Sequence, residues 1–180
     1  MERGTALVLG ATGGIGGETT AALLRRGWRV RALAREPARA AAQWPAGLAR
    51  PQWVAGDAMD AGSVVAAARG TSLIVHAVNP PGYRHWGALV LPMLESTIRA
   101  AEASRARIVL PGTVYNYGPD AFPDIAEDAP QHPATARARS ACRWSNGCGP
   151  RATAACAPWS CGPAISSVRA PATTGSRRGW

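Results

Sequence analysis

Lysine is absent from the 180 residues, and all 20 basic side chains are arginine. The sequence therefore excludes any mechanism that needs a lysine amine. Cysteine is absent from the first 141 residues, and the tail contains no Cys-x-x-Cys pair. Because this spacing fits no common zinc pattern, no metal site is predicted. The four thiols are Cys142, Cys148, Cys156 and Cys161.

Acidic residues are absent after Asp128, whereas the seven arginines that follow residue 136 have no acid beside them. The formal charge of +9 is therefore mostly a property of the tail. A nucleic-acid partner needs a basic surface on a folded domain, and this distribution argues against one.

Long apolar runs are also missing, since none approaches the ~20 residues that span a bilayer. No signal-peptide pattern precedes the first apolar segment. We therefore expect a cytoplasmic protein without a membrane partner. Its oligomeric state is left open.

Strand and helix patterns alternate over residues 5–111. Short apolar runs predict buried strands, and the helices between them imply parallel crossover connections. A doubly wound α/β fold with helices on both faces of the sheet follows. The first helix is expected to present Ile15, Thr19, Ala22 and Leu23 on one face. The predicted strands are "TALVLGA", "WRVRALAR", "PQWVAGD", "TSLIVHAV" and "ARIVLPG", and the helices are "GGIGGETTAALLRRG", "EPARAAAQW", "DAGSVVAAARG" and "GALVLPMLESTIRAAEAS".

A break in composition divides the chain. From Ala136 onward, Ile165 and Val168 are the only Ile, Leu, Val, Met or Phe residues. Such a segment cannot build a further layer of strands and helices. We therefore predict a folded domain over residues 1–135, with a sheet truncated after about five strands, and a disordered or non-native tail over residues 136–180.

The first strand leads into the helix through Gly10, Gly13 and Gly16, spaced G-x-x-G-x-x-G. Gly10 permits a tight turn, Gly13 permits close approach of a pyrophosphate, and Gly16 permits close packing of helix on strand. The N–H groups and dipole of the helix N-terminus then favour bound phosphate. In a βαβ unit this spacing indicates a dinucleotide site.

"VLGATGGIGG" resembles the opening of the NAD(P)-dependent epimerase/dehydratase family, an extended or atypical branch of the short-chain dehydrogenases/reductases. "AGDAMD", "IVHAVNPP", "LPGTVYNYGPD" and "EDAPQHP" resemble later landmarks of that family, so the likeness covers roughly residues 4–135. It implies a Rossmann fold. The residues that the loop and the resemblance assign to the cofactor are Gly10, Thr12, Gly13, Gly14, Ile15, Gly16, Arg35, Asp57, Ala58, Ala77, Val78 and Asn79.

The second strand indicates which cofactor is bound. NAD-binding proteins usually place an acid at its end for the ribose 2′-hydroxyl, whereas this strand carries Arg31 and Arg35 with no acid before Glu36. An arginine can pair a 2′-phosphate through a charge-assisted fork. NADP is therefore the preferred cofactor, with NAD as the alternative.

The catalytic Tyr-x-x-x-Lys of the resembled family is missing, since the chain has no lysine. The resemblance places Thr113 at the position of the family's Ser or Thr, and Tyr117 is a nearby phenol that packing in the site wall explains better than catalysis. His85, in the loop "GYRHW", is the candidate substrate contact. His76 lies in an apolar strand and is interpreted as a core residue.

A shifted reading frame would explain the tail. When "PWSCGPAISSVRAPATTGS" is reverse-translated with G+C-rich codons and read from two bases further on, one permitted peptide is "LVVRAGDFFGPRAGNNWF". This peptide resembles the family's sixth strand and its loop. A stretch across residues 141–152 permits the helix "LPVEQRLRAA". We therefore hypothesise a single-base loss near residue 135. We expect a protein with such a truncated sheet to have weak or absent turnover and to expose a sheet edge that favours aggregation.

Three functions remain open. The first is an NAD(P)-linked epimerase/dehydratase-like oxidoreductase acting on a sugar nucleotide or a small carbonyl compound. The second is a non-catalytic NADP-binding sensor. The third is a non-functional truncated product. Absence of lysine favours the last two over the first.

Overall fold

The computed structural model describes residues 3–80, 82, 85–112, 116–122, 124–125 and 129–134. The predicted catalytic Thr113 and the predicted tail over residues 136–180 lie outside these ranges. The predicted alternation of strands and helices is confirmed over residues 3–109. The elements are β1 (Arg3–Leu9), α1 (Gly14–Arg25), β2 (Trp28–Ala34), α2 (Pro37–Gln43), β3 (Gln52–Ala55), α3 (Ala61–Ala67), β4 (Leu73–His76), α4 (Trp86–Ser104) and β5 (Arg107–Val109), followed by a 3₁₀ turn (Pro119–Ala121).

The five strands form one parallel sheet in the order β3-β2-β1-β4-β5. Leu7 aligns with Arg31 of β2 on one side and with Ile74 of β4 on the other. The strand order therefore reverses at β1, and the carboxyl ends of β1 and β4 flank a crevice, which is where open α/β sheets bind ligands. The predicted doubly wound Rossmann fold is confirmed.

Both faces of the sheet are buried, as a parallel sheet requires. Side chains alternate along β1: Leu7 and Leu9 join the core under α3 and α4, whereas Val8 joins a second cluster on the opposite face. Leu23 and Leu24 of α1 pack against that second cluster. Helices on both faces thus exclude water from the strands and fix the edge where the crevice opens.

Two devices fix the ends of α3. Asp60 is its N-cap, as predicted, and its carboxylate accepts hydrogen bonds from the backbone N–H groups of Gly62 (2.9 Å) and Ser63 (3.2 Å). At the other end, Nη1 of Arg31 on β2 donates to the carbonyl oxygens of Ala67 (3.0 Å) and Arg69 (2.6 Å). A cation at the carboxyl end of a helix satisfies carbonyls that have no partner within the helix.

Of the residues predicted to share one face of α1, Leu23 packs against the second cluster, but Ile15 does not face the protein. The buried residues of this helix are Gly16, Thr20 and Ala21, whereas Ile15 is 63% exposed. Gly16 packs directly on the loop backbone, and this contact turns the helix so that Gly16 and Thr20 face the protein. The glycine spacing predicted the close packing of Gly16, but the apolar pattern did not show that Ile15 would be left exposed.

Candidate functional site

Gly10 turns the chain sharply at the end of β1. Its φ of +86° lies in the left-handed region that favours glycine. A Cβ at this position would lie 2.5 Å from the carbonyl oxygen of Ala77, just beyond β4. The loop therefore crosses the ends of both central strands at backbone contact distance, as the predicted tight turn requires.

Gly13 and Gly16 complete the loop. The Gly13 N–H donates to the Gly10 carbonyl (2.9 Å), and a Cβ at Gly16 would overlap that same carbonyl oxygen. Gly14, the first residue of α1, has no heavy atom within 4 Å of its Cβ position. The N-cap Gly13 has no side chain to bond the helix N-terminus, and the first turn contains no acid. The terminus is thus open to an anionic group, which the helix dipole stabilises.

A cleft of about 890 Å³ opens at this edge of the sheet. Its lining residues extend from the end of β2, across the glycine loop, to the end of β4. Its size is within the range of small-molecule and cofactor sites. Ten of the twelve predicted cofactor residues line it, namely Gly10, Thr12, Gly13, Gly14, Ile15, Arg35, Ala58, Ala77, Val78 and Asn79.

The two other predicted cofactor residues do not line the cleft. Gly16 lies beneath the loop, where its missing side chain lets the helix approach. Asp57 is half-buried, and its Oδ1 accepts a hydrogen bond from the N–H of Met59 (2.9 Å). The Asp57 N–H also donates to Oγ of Ser63 on α3 (3.1 Å). Asp57 therefore shapes the loop that presents Ala58 and Met59 to the cleft.

Three charged side chains stand at the β2 end of the cleft: Arg35, Glu36 and Arg39. Arg35 is exposed and forms no ion pair within the described residues, whereas Glu36 pairs with Arg39 at 3.6 Å. This end of the cleft has one positive charge in excess. Sequence reasoning missed Arg39, although its place in the first turn of a helix directly after β2 is the signal that could have found it.

Arg31 does not contribute to this charge. The sequence offered it, with Arg35, as a partner for a 2′-phosphate, but its guanidinium is bonded to the carboxyl end of α3. The reason is its position four residues before Arg35, within β2 rather than at the carboxyl end of that strand. Arg31 is a structural residue.

His76 ends β4 and is fully buried. Its Nδ1 lies 2.7 Å from Oγ1 of Thr97 on α4, and that hydroxyl lies 3.2 Å from the carbonyl oxygen of Met93. Because the carbonyl can only accept, the hydroxyl donates to it and His76 Nδ1–H donates to the hydroxyl. Burial lowers the pKa of His76 to about 4. The imidazole is therefore neutral at pH 7, and the interpretation as a core histidine is confirmed.

A hydrogen bond between two side chains lies at the β4 end of the cleft. Nε1 of Trp86, the first residue of α4, donates to Oδ1 of Asn79 (2.7 Å). The predicted substrate contact His85 is exposed at the N-cap of α4 but does not line this cleft. Tyr117 is 8% exposed and does not line it either. The structure therefore gives neither predicted residue a place in the cleft.

Two further findings hold for the described residues. Within them, no helix is long and apolar enough to cross a bilayer. In the same part of the chain, no group of three or more His, Cys, Asp or Glu side chains is arranged to hold a metal ion.

Comparisons with solved structures give the fold an independent context. Uronate dehydrogenase from Agrobacterium tumefaciens superposes with a TM-score of 0.57 at 26% identity, over 79% of this chain and 53% of that one. A mutant of that enzyme, complexed with NAD, gives 0.59 at 25% identity over the same shares. UDP-glucose 4-epimerase from Bifidobacterium longum, in complex with NAD⁺ and UDP, gives 0.67 at 17% identity, over 83% of this chain and 49% of that one.

The chain spans about half the length of these enzymes. No curated protein sequence matches it. The epimerase, at 17% identity, shows a shared fold, and the dehydrogenase, at 26% identity, agrees with the resemblance seen in the sequence. The model of a family described as NAD(P)H-binding matches residues 10–146, which include the glycine loop and every described lining residue of the cleft except Leu9. Three-quarters of the sequence is thus matched, and the chain belongs to the NAD(P)H-binding family.

Proposed function

We propose that the cleft binds NADP(H), with its pyrophosphate at the N-terminus of α1 and its adenosine half towards the end of β2. The observation that carries this proposal is the open helix N-terminus behind Gly13, flanked by an arginine-rich end of the cleft. The adenine half would contact Ala58, on the loop that Asp57 braces. The nicotinamide half would lie along Ala77, Val78 and Asn79.

Preference for NADP over NAD rests on the charges at the β2 end. Glu36 is the one carboxylate among the described lining residues, and Arg39 already partners it. Arg35 is left to meet a 2′-phosphate, and a hydrogen bond to a charged group contributes about 1.5–3 kcal/mol. Because Arg35 is exposed, we expect the lower end of that range, or about a tenfold preference.

The test is a pair of calorimetric titrations, one with NADPH and one with NADH. Wild type should bind NADPH more tightly, and Arg35→Ala should bind both cofactors equally. Arg31→Ala is the matched control, because Arg31 lies within β2, four residues before Arg35, and does not line the cleft. Equal affinity of the wild type for both cofactors would contradict the proposed preference.

A second pair of variants tests the phosphate site. Gly13→Ala introduces a Cβ 3.4 Å from the Gly10 carbonyl, a distance the protein tolerates, but that Cβ stands where a phosphate would approach. We expect NADPH affinity to fall on the order of tenfold, as for the loss of a charge-assisted hydrogen bond. Gly17→Ala is the control, since its Cβ would meet the Ala11 carbonyl at 3.3 Å and Gly17 does not line the cleft.

For the reaction, we propose an epimerase/dehydratase-like oxidoreductase acting on a sugar nucleotide or a small carbonyl compound. The bound cofactor would supply hydride transfer. Thr113 is proposed to orient the reacting oxygen, whereas Tyr117 and His85, which do not line the cleft, are given no part in the proposal. The uronate and UDP-sugar enzymes named above suggest the compounds to assay first. Turnover by the wild type that is lost in Thr113→Ala would support this assignment.

A non-catalytic NADP sensor is the second candidate, and absence of lysine favours it. NADPH binding without turnover of any such substrate would support the sensor. Failure of the folded protein to bind either cofactor would support a non-functional product. In that case the proposed frame shift near residue 135 explains the loss, and it is tested by whether the codons after Thr135 encode a strand in a neighbouring frame.

A further inference from the structure

Trp86 offers a contact to the cleft that the sequence did not indicate. Its indole is half-buried and packs against the core cluster under α3 and α4, together with Val78 and Leu89. This packing fixes the position of the ring, while Nε1 reaches Asn79 across the loop that joins β4 to α4. Asn79 is exposed and lines the cleft.

The chemistry of the pair determines how the amide of Asn79 is oriented. An indole N–H can only donate, so the atom that faces it at 2.7 Å is the carbonyl oxygen Oδ1. With Oδ1 engaged by Trp86, Asn79 offers its NH₂ group to a ligand. The group that binds there is therefore a hydrogen-bond acceptor, such as a hydroxyl, carboxamide or carbonyl oxygen.

Position along the cleft indicates which part of the ligand this is. Asn79 follows β4, whereas Arg35 follows β2, and β1 with its glycine loop lies between these strands. A dinucleotide with its pyrophosphate at the loop extends one nucleoside to each side of the strand-order reversal. Asn79 thus faces the nucleoside half opposite Arg35.

We infer that Trp86 is a positioning residue: it holds the Asn79 amide so that its NH₂ group binds an acceptor oxygen in the nicotinamide half of the cofactor. This inference rests on the proposed function. One neutral hydrogen bond changes affinity by about three- to tenfold. A loss of that size, confined to one half of the cofactor, is the expected effect of disturbing the pair.

The experiment compares NADPH with 2′,5′-ADP, which lacks the nicotinamide half. Trp86→Phe keeps the aromatic ring and removes the N–H, and Asn79→Asp keeps the acceptor for Trp86 and removes the donor. Both variants should bind NADPH about three- to tenfold more weakly and 2′,5′-ADP as tightly as wild type does. A general disturbance of folding would weaken the binding of both ligands and lower Tm.

Trp53→Phe is the matched control, because Trp53 Nε1 has no hydrogen-bond partner among the described residues. Its affinity for both ligands should stay at the wild-type value. Unchanged NADPH affinity in Trp86→Phe, or an equal loss for both ligands, would overturn the inference. If the wild type binds neither ligand, the proposed function itself fails, and this outcome is distinct from failure of the positioning role.

Discussion

His76 should make the stability of this protein depend on pH in the mildly acidic range. Burial lowers the pKa of the folded-state imidazole from 6.5 to about 4. Between these values the unfolded chain binds a proton that the folded chain does not, so stability falls as the pH decreases through 6.5. The loss is complete below about pH 4, where both states are protonated.

The magnitude follows from the shift. A pKa difference of this size corresponds to roughly 3 kcal/mol once both states are protonated, and to about 2 kcal/mol at pH 5. A small domain has only ~5–15 kcal/mol of stability, so this loss is large. His76→Leu fills a similar volume, cannot titrate and leaves the Thr97 hydroxyl bonded to Met93.

Urea unfolding followed by far-ultraviolet circular dichroism at pH 7 and pH 5 measures the effect. The wild type should lose about 2 kcal/mol more than His76→Leu between these values, with equal m-values. The difference between the two proteins removes the contribution of the carboxylates, including Asp120, whose pKa the hydrogen bond from His132 lowers. Equal losses in both proteins would refute the reasoning, as would an NMR titration in which the His76 ring protonates near pH 6.

Three more predictions follow from the fold. Asp60→Ala should lower the free energy of unfolding by ~1 kcal/mol in urea titrations, because two N–H groups of α3 lose their acceptor, while Asp60→Ser should lose less. Arg31→Met should lower the free energy of unfolding by roughly 2 kcal/mol, because the carbonyl groups at the end of α3 lose their hydrogen-bond donor, but it should leave NADPH affinity unchanged. A change in affinity would contradict the structural role of Arg31. Removal of residues 136–180 should leave the Kd for NADPH unchanged by calorimetry, because the described lining of the cleft lies within residues 9–93.

The order of the elements could be predicted because apolar runs, glycines and caps are local signals. The turn at Gly10 and the cap at Asp60, for example, involve backbone within a few residues, and the structure confirms both. Contacts between distant residues could not be predicted. Arg31 bonds carbonyl groups 36 and 38 residues further along the chain, and no sequence pattern indicates which distant groups it meets. On α1, the exposure of Ile15 was not predicted, because the backbone contact of Gly16 with Gly10, which the apolar pattern does not register, determines which residues face the protein.

The distribution of charge within the cleft separates binding from catalysis. Arg35, Glu36 and Arg39 are the titratable side chains among its described lining residues, and all three stand at the β2 end. The β4 end is lined by Ala77, Val78, Asn79, Pro80, Leu89 and Met93, none of which exchanges protons near neutral pH. His76 lies beside this end but is buried and neutral.

Proton transfer next to the nicotinamide would therefore need a group beyond these residues, such as the proposed Thr113 with a neighbouring phenol. The proposed cofactor site needs no such group, since it is formed by the glycine loop, the α1 terminus and Arg35. Because the two requirements fall on different residues, loss of a catalytic group would leave the proposed NADP(H) site intact, as the proposed sensor requires.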